Sequence, residues 1–359
     1  MKKLRIALIG LSHVHITQLT RDFLNYPDEI EVVGAADVPP HTVQEAEFGS
    51  RKKFLEKREI AIWEDYRELL KQDIDIAIVC TVINSYPEIV EETMAMGIHT
   101  IVEKPMALSM ESAKRMYRAY KASKAQLIIN WPVAWIPTFR KVKELVDSGV
   151  AGEVYRVQYR SPSTYGPFGQ KDIEPSELST FWWYKSELGG GSISDYAGYG
   201  CLLTTWISGQ TAKRVGAFKK NFKNPFSNIE DYAIFNIDFG NCLGLVEGSW
   251  STLSDGQIPT GPVVYGSKAV IVADRFNPAV KVYTEHIPYV LCGEPNEEYV
   301  PEDDGNKLAR NILDFIKEGA PLCELVTPEF NMKVMAAYDA GIRSCESGQI
   351  ENCYDPFQF

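Results

Sequence analysis

The sequence predicts an α/β protein of two units: a doubly wound parallel sheet, then an α+β unit with a largely antiparallel, open-faced sheet. Three observations carry this. Before residue 130, short runs that are apolar on both faces alternate with helical spacing, as parallel strands covered on both sides by helices do. After residue 150 the period becomes strict alternation, with Tyr155, Val157 and Tyr159 set against Arg156, Gln158 and Arg160. The 359 residues suffice for two cores at about 150 residues per domain. The boundary is placed at residue 130, giving units 1–130 and 131–359.

Leu4 to Ile9 reads as a buried strand ending in Gly10. Helical spacing follows through Ile16, Leu19 and Phe23/Leu24 until Pro27. Ile30 to Ala36 is a second apolar strand that ends at Asp37, and Pro39-Pro40 mark a turn. A short strand over Ile60 to Trp63 precedes a helix over Tyr66, Leu69 and Leu70. Ile74 to Val82 is apolar again, Ile89 to Met96 is helical, and Thr100 to Val102 is a short strand. Ser109 can cap the next helix, whose apolar face is Met110, Ala113, Met116, Tyr117 and Tyr120. Leu127 to Ile129 closes the pattern. In such a sheet the ligand crevice lies at the carboxyl ends of the strands.

Pro137 to Val146 reads as a linking helix, with Pro137 in its first turn and Gly149 as its stop. Ala233 to Phe239, Leu243 to Trp250, Val263 to Tyr265 and Ala269 to Val272 are strands, with Gly266-Ser267 as a hairpin turn. Two late helices, Lys307 to Lys317 and Pro328 to Ser344, finish the chain.

Composition narrows the function. A hydrophobic fraction of 45% and a charged fraction of 24% are ordinary for a globular protein. The net charge of −11, with no basic stripe, argues against nucleic acid and anionic membranes as partners. No run approaches the roughly 20 apolar residues of a membrane span. The short run before Gly10 lacks a cleavage site and reads as a strand, not a leader. Seven widely spaced cysteines (80, 201, 242, 292, 323, 345 and 353) without C-x-x-C fit reduced thiols and a cytoplasmic protein. The histidines form no zinc pattern, and no metal is expected. His13 and His15, two apart, could aim at an ion; a packing role in a loop is the expectation.

A dinucleotide site of the Rossmann type needs a glycine-rich turn after the first strand, where backbone N–H groups and a helix N-terminus meet the pyrophosphate. Here the turn is Gly10-Leu11-Ser12-His13-Val14-His15. Of the three glycines of G-x-G-x-x-G it keeps the first; Ser12 and His15 take the other two places. Asp37, at the end of the second strand, stands where a ribose hydroxyl acceptor belongs. No Arg or Lys follows Asp37 until Arg51, so no cation is expected near it, and NAD is expected over NADP.

The run Val102-Glu103-Lys104-Pro105, following Gly97-Ile98-His99, is the most specific local motif. With Gly10, Asp37 and the two-unit pattern, the chain resembles the glucose-fructose oxidoreductase / inositol dehydrogenase / rhizopine-catabolism (Gfo/Idh/MocA) family. The resemblance covers residues 1 to about 250 well and the rest loosely. It implies NAD held by Gly10, Ser12, His13, Asp37, Thr81, Glu103 and Lys104. It implies hydride transfer to or from a sugar, cyclitol or related polyol. Family members commonly pair through the open face of the second sheet, so a homodimer or homotetramer is expected, with Arg156, Gln158 and Arg160 on that face.

The family's second landmark is a glycine run, an aspartate and a histidine four residues on. Here it reads Gly189-Gly190-Gly191, Asp195 and Tyr199, with Leu202 in place of a further acid. Asp195 and Tyr199, four apart, share one helix face. Asp195 is also an acid favoured in a first turn, and Tyr199 is also a plausible core tyrosine. Gly198 and Gly200 suggest close approach of a backbone or ligand. Tyr86 stands where many members carry a histidine. The resemblance implies Lys104, Asp195 and Tyr199 as catalytic. Tyr199 would be the general acid/base, its phenol (ordinarily near pKa 10) lowered by Lys104 within about 4–6 Å. Trp182-Trp183-Tyr184, Tyr165 and Phe168 could stack on a sugar or belong to the core. Two other functions stay open: an NAD-assisted glycosidase of the same fold, which would release sugar without net change in cofactor, and a non-catalytic NAD-binding regulator, which the presence of Lys104 disfavours.

Overall fold

The computed structural model describes residues 2–38, 45–163, 166–167, 173–253, 258–284, 293–305 and 307–359, with backbone alone in 45–48. The first unit alternates strand and helix: β1 (Leu4–Ile9), α1 (His15–Leu24), β2 (Ile30–Ala36), α2 (Glu45–Glu56), β3 (Ile62–Trp63), α3 (Tyr66–Leu70), β4 (Ile76–Val79), α4 (Tyr86–Ala95), β5 (His99–Glu103), α5 (Met110–Ala122) and β6 (Leu127–Asn130). The strands form a parallel sheet in the order β3-β2-β1-β4-β5-β6. Its strands are apolar on both faces because both faces are covered. Ile6 and Leu8 of β1 and Ile76 and Ile78 of β4 enter one core, while Ala7, Ile9, Ala77 and Val79 enter the other. Each fully buried large aliphatic contributes about 1.5–3 kcal/mol. Ser109 caps α5 through its hydroxyl, which accepts from the Ser112 amide at 3.2 Å.

Helix α6 (Pro137–Asp147) leads to the second unit. There follow β7 (Val154–Ser161), the short α7 (Pro175–Leu178), a π-helical turn over Ile193–Ala197, α8 (Gly198–Ser208), β8 (Arg214–Lys220), β9 (Tyr232–Asp238), β10 (Leu243–Ser249), β11 (Pro262–Gly266), β12 (Val270–Ala273), β13 (Val280–Tyr283), β14 (Glu297–Tyr299), α9 (Leu308–Glu318), α10 (Pro328–Ser347) and β15 (Glu351–Asn352). Nine strands form one sheet in the order β14-β13-β12-β11-β7-β10-β9-β8-β15. Every pairing is antiparallel except β7 with β10. Helices α6, α8 and α10 pack on one face. The other face carries Arg156, Gln158 and Arg160.

The sequence reading passed over α2, the four-residue α7, β8, β13, β14 and β15. Charge dominates α2 and the end of β8, and the other three strands have two to four residues each. Pattern has little to work on in such segments. Helix α9, although late in the chain, returns to the first sheet. Leu308, Ala309, Ile312 and Leu313 join the core of Ile6, Leu8 and Phe23, and Glu29 accepts from both Arg310 (2.7 Å) and Lys317 (2.8 Å). Among the described residues no helix is long and apolar enough to cross a membrane.

Candidate active site

The turn after β1 is built for close approach. Gly10 has φ +79°, and a Cβ there would lie 2.5 Å from Thr81 Cβ. Its amide donates to the Ala36 carbonyl at 2.7 Å, and the His13 amide to the Cys80 carbonyl at 3.1 Å, so the turn is tied to β2 and β4. Asp37 is buried, and its Oδ1 accepts from the Leu11 amide at 3.0 Å. Thr81 is buried with its hydroxyl unpartnered among the described residues. A glycine cradle, an acceptor at the end of β2 and an orphaned hydroxyl beside the turn fit a dinucleotide. The second and third glycine places, held by Ser12 and His15, depart from the usual cradle.

One expectation is corrected here. Arg51, fourteen residues beyond Asp37, is not remote from the turn. Helix α2 folds back, and the buried Arg51 guanidinium donates to the Leu11 carbonyl. Leu11 thus joins the Asp37 carboxylate and a cation through its two backbone groups.

At the end of β5, Glu103 is fully buried. Its Oε1 accepts from Asn130 Nδ2 at 2.5 Å, and its Oε2 faces His15 Nδ1 at 3.1 Å. Burial works to raise this carboxyl, yet the His15 and His13 imidazoles and the two hydrogen bonds bring it down to about 2. Burial holds His13 well below its ordinary pKa. Cys80 and Tyr86, also buried, are pushed up, and Tyr86 donates to the Thr81 carbonyl at 3.3 Å.

Lys104, next along the chain, crosses to the second unit. Its Nζ, with 1% of the side chain exposed, donates to Asp195 Oδ1 at 2.9 Å and to the Asp195 carbonyl at 2.8 Å. The Lys104–Pro105 peptide is cis. Asp195 Oδ2 accepts from Trp250 Nε1 at 2.9 Å. Asp195 lies in the π-helical turn, so it and Tyr199 are not on one regular helix face as the spacing suggested. Tyr199 is buried, with the Lys104 ammonium 4.6 Å from its ring centroid and Trp131 edge-on at 5.5 Å. The cation meets the ring face. Burial pushes the phenol well above its ordinary value, and the cation that opposes this is Arg275. The expectation that Lys104 draws the phenol down is therefore not what the geometry provides. Gly200 is needed, since a Cβ would lie 2.2 Å from Val246 Cγ1; Gly198 meets ordinary contacts only.

The structure thus gathers Lys104, Asp195 and Tyr199 in one place and Gly10, Ser12, His13, Asp37, Thr81 and Glu103 along the neighbouring strand ends. Trp182, Trp183 and Tyr184 are buried. The two indoles stack at 3.9 Å, Trp182 Nε1 donates to the Ser12 carbonyl at 3.0 Å, and Trp183 Nε1 has no partner among the described residues. They are a wall behind the turn, not an exposed platform. Tyr165 and Phe168 lie outside the described residues, as do Pro39, Pro40, His41 and Cys292.

Sequence reasoning missed Trp250, Asn130, Tyr159 and Arg275. Tyr159 is buried with its hydroxyl unpartnered among the described residues, and Arg275 lies 6.0 Å from the Tyr199 ring centroid. Alternation marked Tyr159 as inward-facing; nothing local marked the other three.

Residues 4–131 match the model of an oxidoreductase family with an NAD-binding Rossmann fold, and residues 139–272 match the GFO/IDH/MocA C-terminal domain. The chain is similar to 1-carboxy-3-chloro-3,4-dihydroxycyclo hexa-1,5-diene dehydrogenase of Comamonas testosteroni, 25% identical over 199 residues. That match covers 55% of this chain and 45% of the relative, so the chain spans less than half of that relative's length. It is similar to myo-inositol 2-dehydrogenase of Thermotoga maritima, 24% identical over 291 residues, covering 79% of this chain and 78% of that one. The solved structure of the WlbA dehydrogenase from Bordetella pertussis, in complex with NADH and UDP-GlcNAcA, matches with a TM-score of 0.76. At 17% identity, over 99% of this chain and 100% of that one, the likeness is one of fold.

Proposed function

This chain belongs to the GFO/IDH/MocA oxidoreductase family, and from that membership we propose that it transfers a hydride between NAD and a sugar, cyclitol or related polyol. The observation that carries the reading is the buried Lys104–Asp195 pair at the end of β5, where a crevice belongs. Gly10, Ser12, His13, Asp37, Thr81, Glu103 and Lys104 would hold NAD, which when bound supplies the hydride acceptor or donor. Lys104 has three N–H donors, and two are committed to Asp195. The third is left to hydrogen-bond the reacting oxygen and, in the reducing direction, to give it the proton it gains; in the oxidising direction the proton goes to Lys104 as the neutral amine, which keeps two N–H groups on Asp195 and uses its lone pair to accept. Asp195 fixes the ammonium and Trp250 fixes Asp195. Tyr199 shapes the pocket with its ring face and positions Lys104.

The test is incubation of the purified protein with NAD or NADH and a panel of polyols, sugars and sugar acids, following the reduced-nicotinamide absorbance. A substrate-dependent change supports hydride transfer. Sugar release with no net change in cofactor supports the NAD-assisted glycosidase, and NAD binding without either supports a regulator.

Tyr199→Phe is expected to change turnover less than about tenfold, because removal of the hydroxyl leaves the ring under the ammonium. A loss of about 10²–10⁴ would instead make the phenol the general acid/base. NAD is expected to bind more tightly than NADP, since Asp37 repels a 2′-phosphate and Arg51 is engaged by the Leu11 carbonyl. Calorimetry with both dinucleotides decides this, and tighter NADP binding sinks it.

The open sheet face pairs two copies of the chain in this reading. Arg156 Nε and Arg160 Nη1 are buried there without partners among the described residues, and a groove of about 550 Å³ runs beside Arg160, Val263, Tyr265 and Tyr283. Sedimentation at micromolar concentration is expected to give at least twice the mass of one chain; a monomer counts against this surface. The six described cysteines are unpaired, which supports a reducing, cytoplasmic setting.

A further inference from the structure

We propose that His13, His15 and Glu103 form a binding site for a divalent transition-metal ion. One ligand atom from each lies within 4.8 Å of the other two. His15 Nδ1 and Glu103 Oε2 are 3.1 Å apart. That contact is a hydrogen bond, but two neighbouring ligands of a six-coordinate ion, with bonds of about 2.1 Å, stand about 3.0 Å apart, so an ion that replaces the shared proton needs little movement of either side chain. The His13 ring, its centroid 4.6 Å from that of His15, has to close by at most about 2 Å to complete a face, and in doing so it gives up the hydrogen bond its Nδ1 accepts from the His15 amide at 3.2 Å.

The surroundings support the ligands. Glu103 and His13 are buried, and 24% of the His15 side chain is exposed, which gives an ion a way in. Asn130 holds the second Glu103 oxygen, the kind of outer contact that orients a ligating carboxylate. The Trp182–Trp183 stack lies against His13, with centroids at 5.9 and 5.0 Å, and walls that side. A buried carboxylate calls for a compensating positive charge. Among the described residues Glu103 is hydrogen-bonded by the His15 imidazole and the Asn130 amide, with His13 beside them, and an ion among these groups would meet its charge directly.

Two imidazoles and one carboxylate on one face suit Mn²⁺, Fe²⁺, Co²⁺, Ni²⁺ or Zn²⁺ better than Mg²⁺ or Ca²⁺, which take oxygen ligands. Such a face leaves up to three positions for water or for an oxygen of a bound ligand. His13 and Glu103 are also among the residues proposed to hold NAD, so the site is tested on protein freed of dinucleotide, where its outcome is distinguishable from that of the hydride-transfer reading.

The experiment is titration of chelator-treated, NAD-free protein with Co²⁺, read by visible absorption and by elemental analysis after gel filtration. About one Co²⁺ per chain is expected, with affinity reduced at least about tenfold in His15→Ala and in Glu103→Gln. The partly exposed His15 can be removed without opening a core, so His15→Ala remains informative even if Glu103→Gln fails to fold. Less than about a tenth of an equivalent bound to the wild-type chain overturns the proposal. So does a folded His15→Ala protein that binds Co²⁺ as the wild type does. Neither result touches the absorbance assay for hydride transfer.

Discussion

Lys104→Ala is expected to lower turnover by about 10²–10⁴-fold while the protein still binds NAD. The side chain is the cation of a pair buried between the two units, with both Asp195 contacts inside 3 Å. No other cation among the described residues hydrogen-bonds Asp195, so none takes over the reacting oxygen. Removing one partner of a buried pair also leaves the other charge uncompensated, at a cost of about 3–5 kcal/mol. Stability therefore falls as well, and the two effects have to be separated. Lys104→Met keeps the volume, and the double variant Lys104→Met with Asp195→Asn removes both charges. Both should fold better than Lys104→Ala and remain equally inactive. Single-turnover kinetics at saturating NAD, beside a thermal melt of each variant, make the check. Normal turnover in a folded Lys104→Met protein would remove Lys104 from the chemistry.

Gly10→Val is expected to abolish NAD binding and to destabilise the first unit by about 2–4 kcal/mol. A β-branched residue at φ +79° is strained, and its Cβ would sit 2.5 Å from Thr81 Cβ, far inside contact distance. The neighbour cannot give way easily, because Thr81 is buried and its carbonyl accepts from Tyr86. Relief has to come from moving the turn off β4, which carries the His13 amide with it. Calorimetry of dinucleotide binding and the denaturant midpoint report the two parts separately. A folded Gly10→Ala protein with unchanged NAD affinity would mean that the dinucleotide does not use this turn.

The strands of the first sheet were legible because burial on both faces imposes an apolar run that few other structures tolerate. Leu4–Ile9, Ile30–Ala36 and Leu127–Asn130 lie within a residue of where the runs placed them. The strands β9 and β10 were equally clear, since one buried face imposes strict alternation. Gly10, Asp37 and Glu103-Lys104-Pro105 were legible as a set. Each stands at the end of a strand of one sheet, so order along the chain already implied nearness in space.

Long-range partners left no such trace. Asn130 lies 27 residues from Glu103, Trp250 lies 55 from Asp195, and Arg51 lies 40 from Leu11. Nothing in the neighbours of these residues sets them apart from a strand end, a core tryptophan or a surface arginine. The phenol of Tyr199 is the sharpest case. The family resemblance implied that it stands near Lys104, and the structure agrees. Whether the ammonium met the hydroxyl or the ring face depended on the π-helical turn at Ile193–Ala197 and on the depth of burial.

Burial periodicity by itself outlined the first sheet and the central strands of the second, while the glycine turn and the Glu103-Lys104-Pro105 motif, through the family resemblance they carry, marked the candidate site. The tertiary structure alone decided the electrostatics: which carboxylate Lys104 faces, which phenol is buried, and that two histidines at a turn meet a glutamate almost ninety residues away. Periodicity is a property of neighbours along the chain, whereas a pKa or a ligand shell is set by whatever the fold brings within a few ångströms.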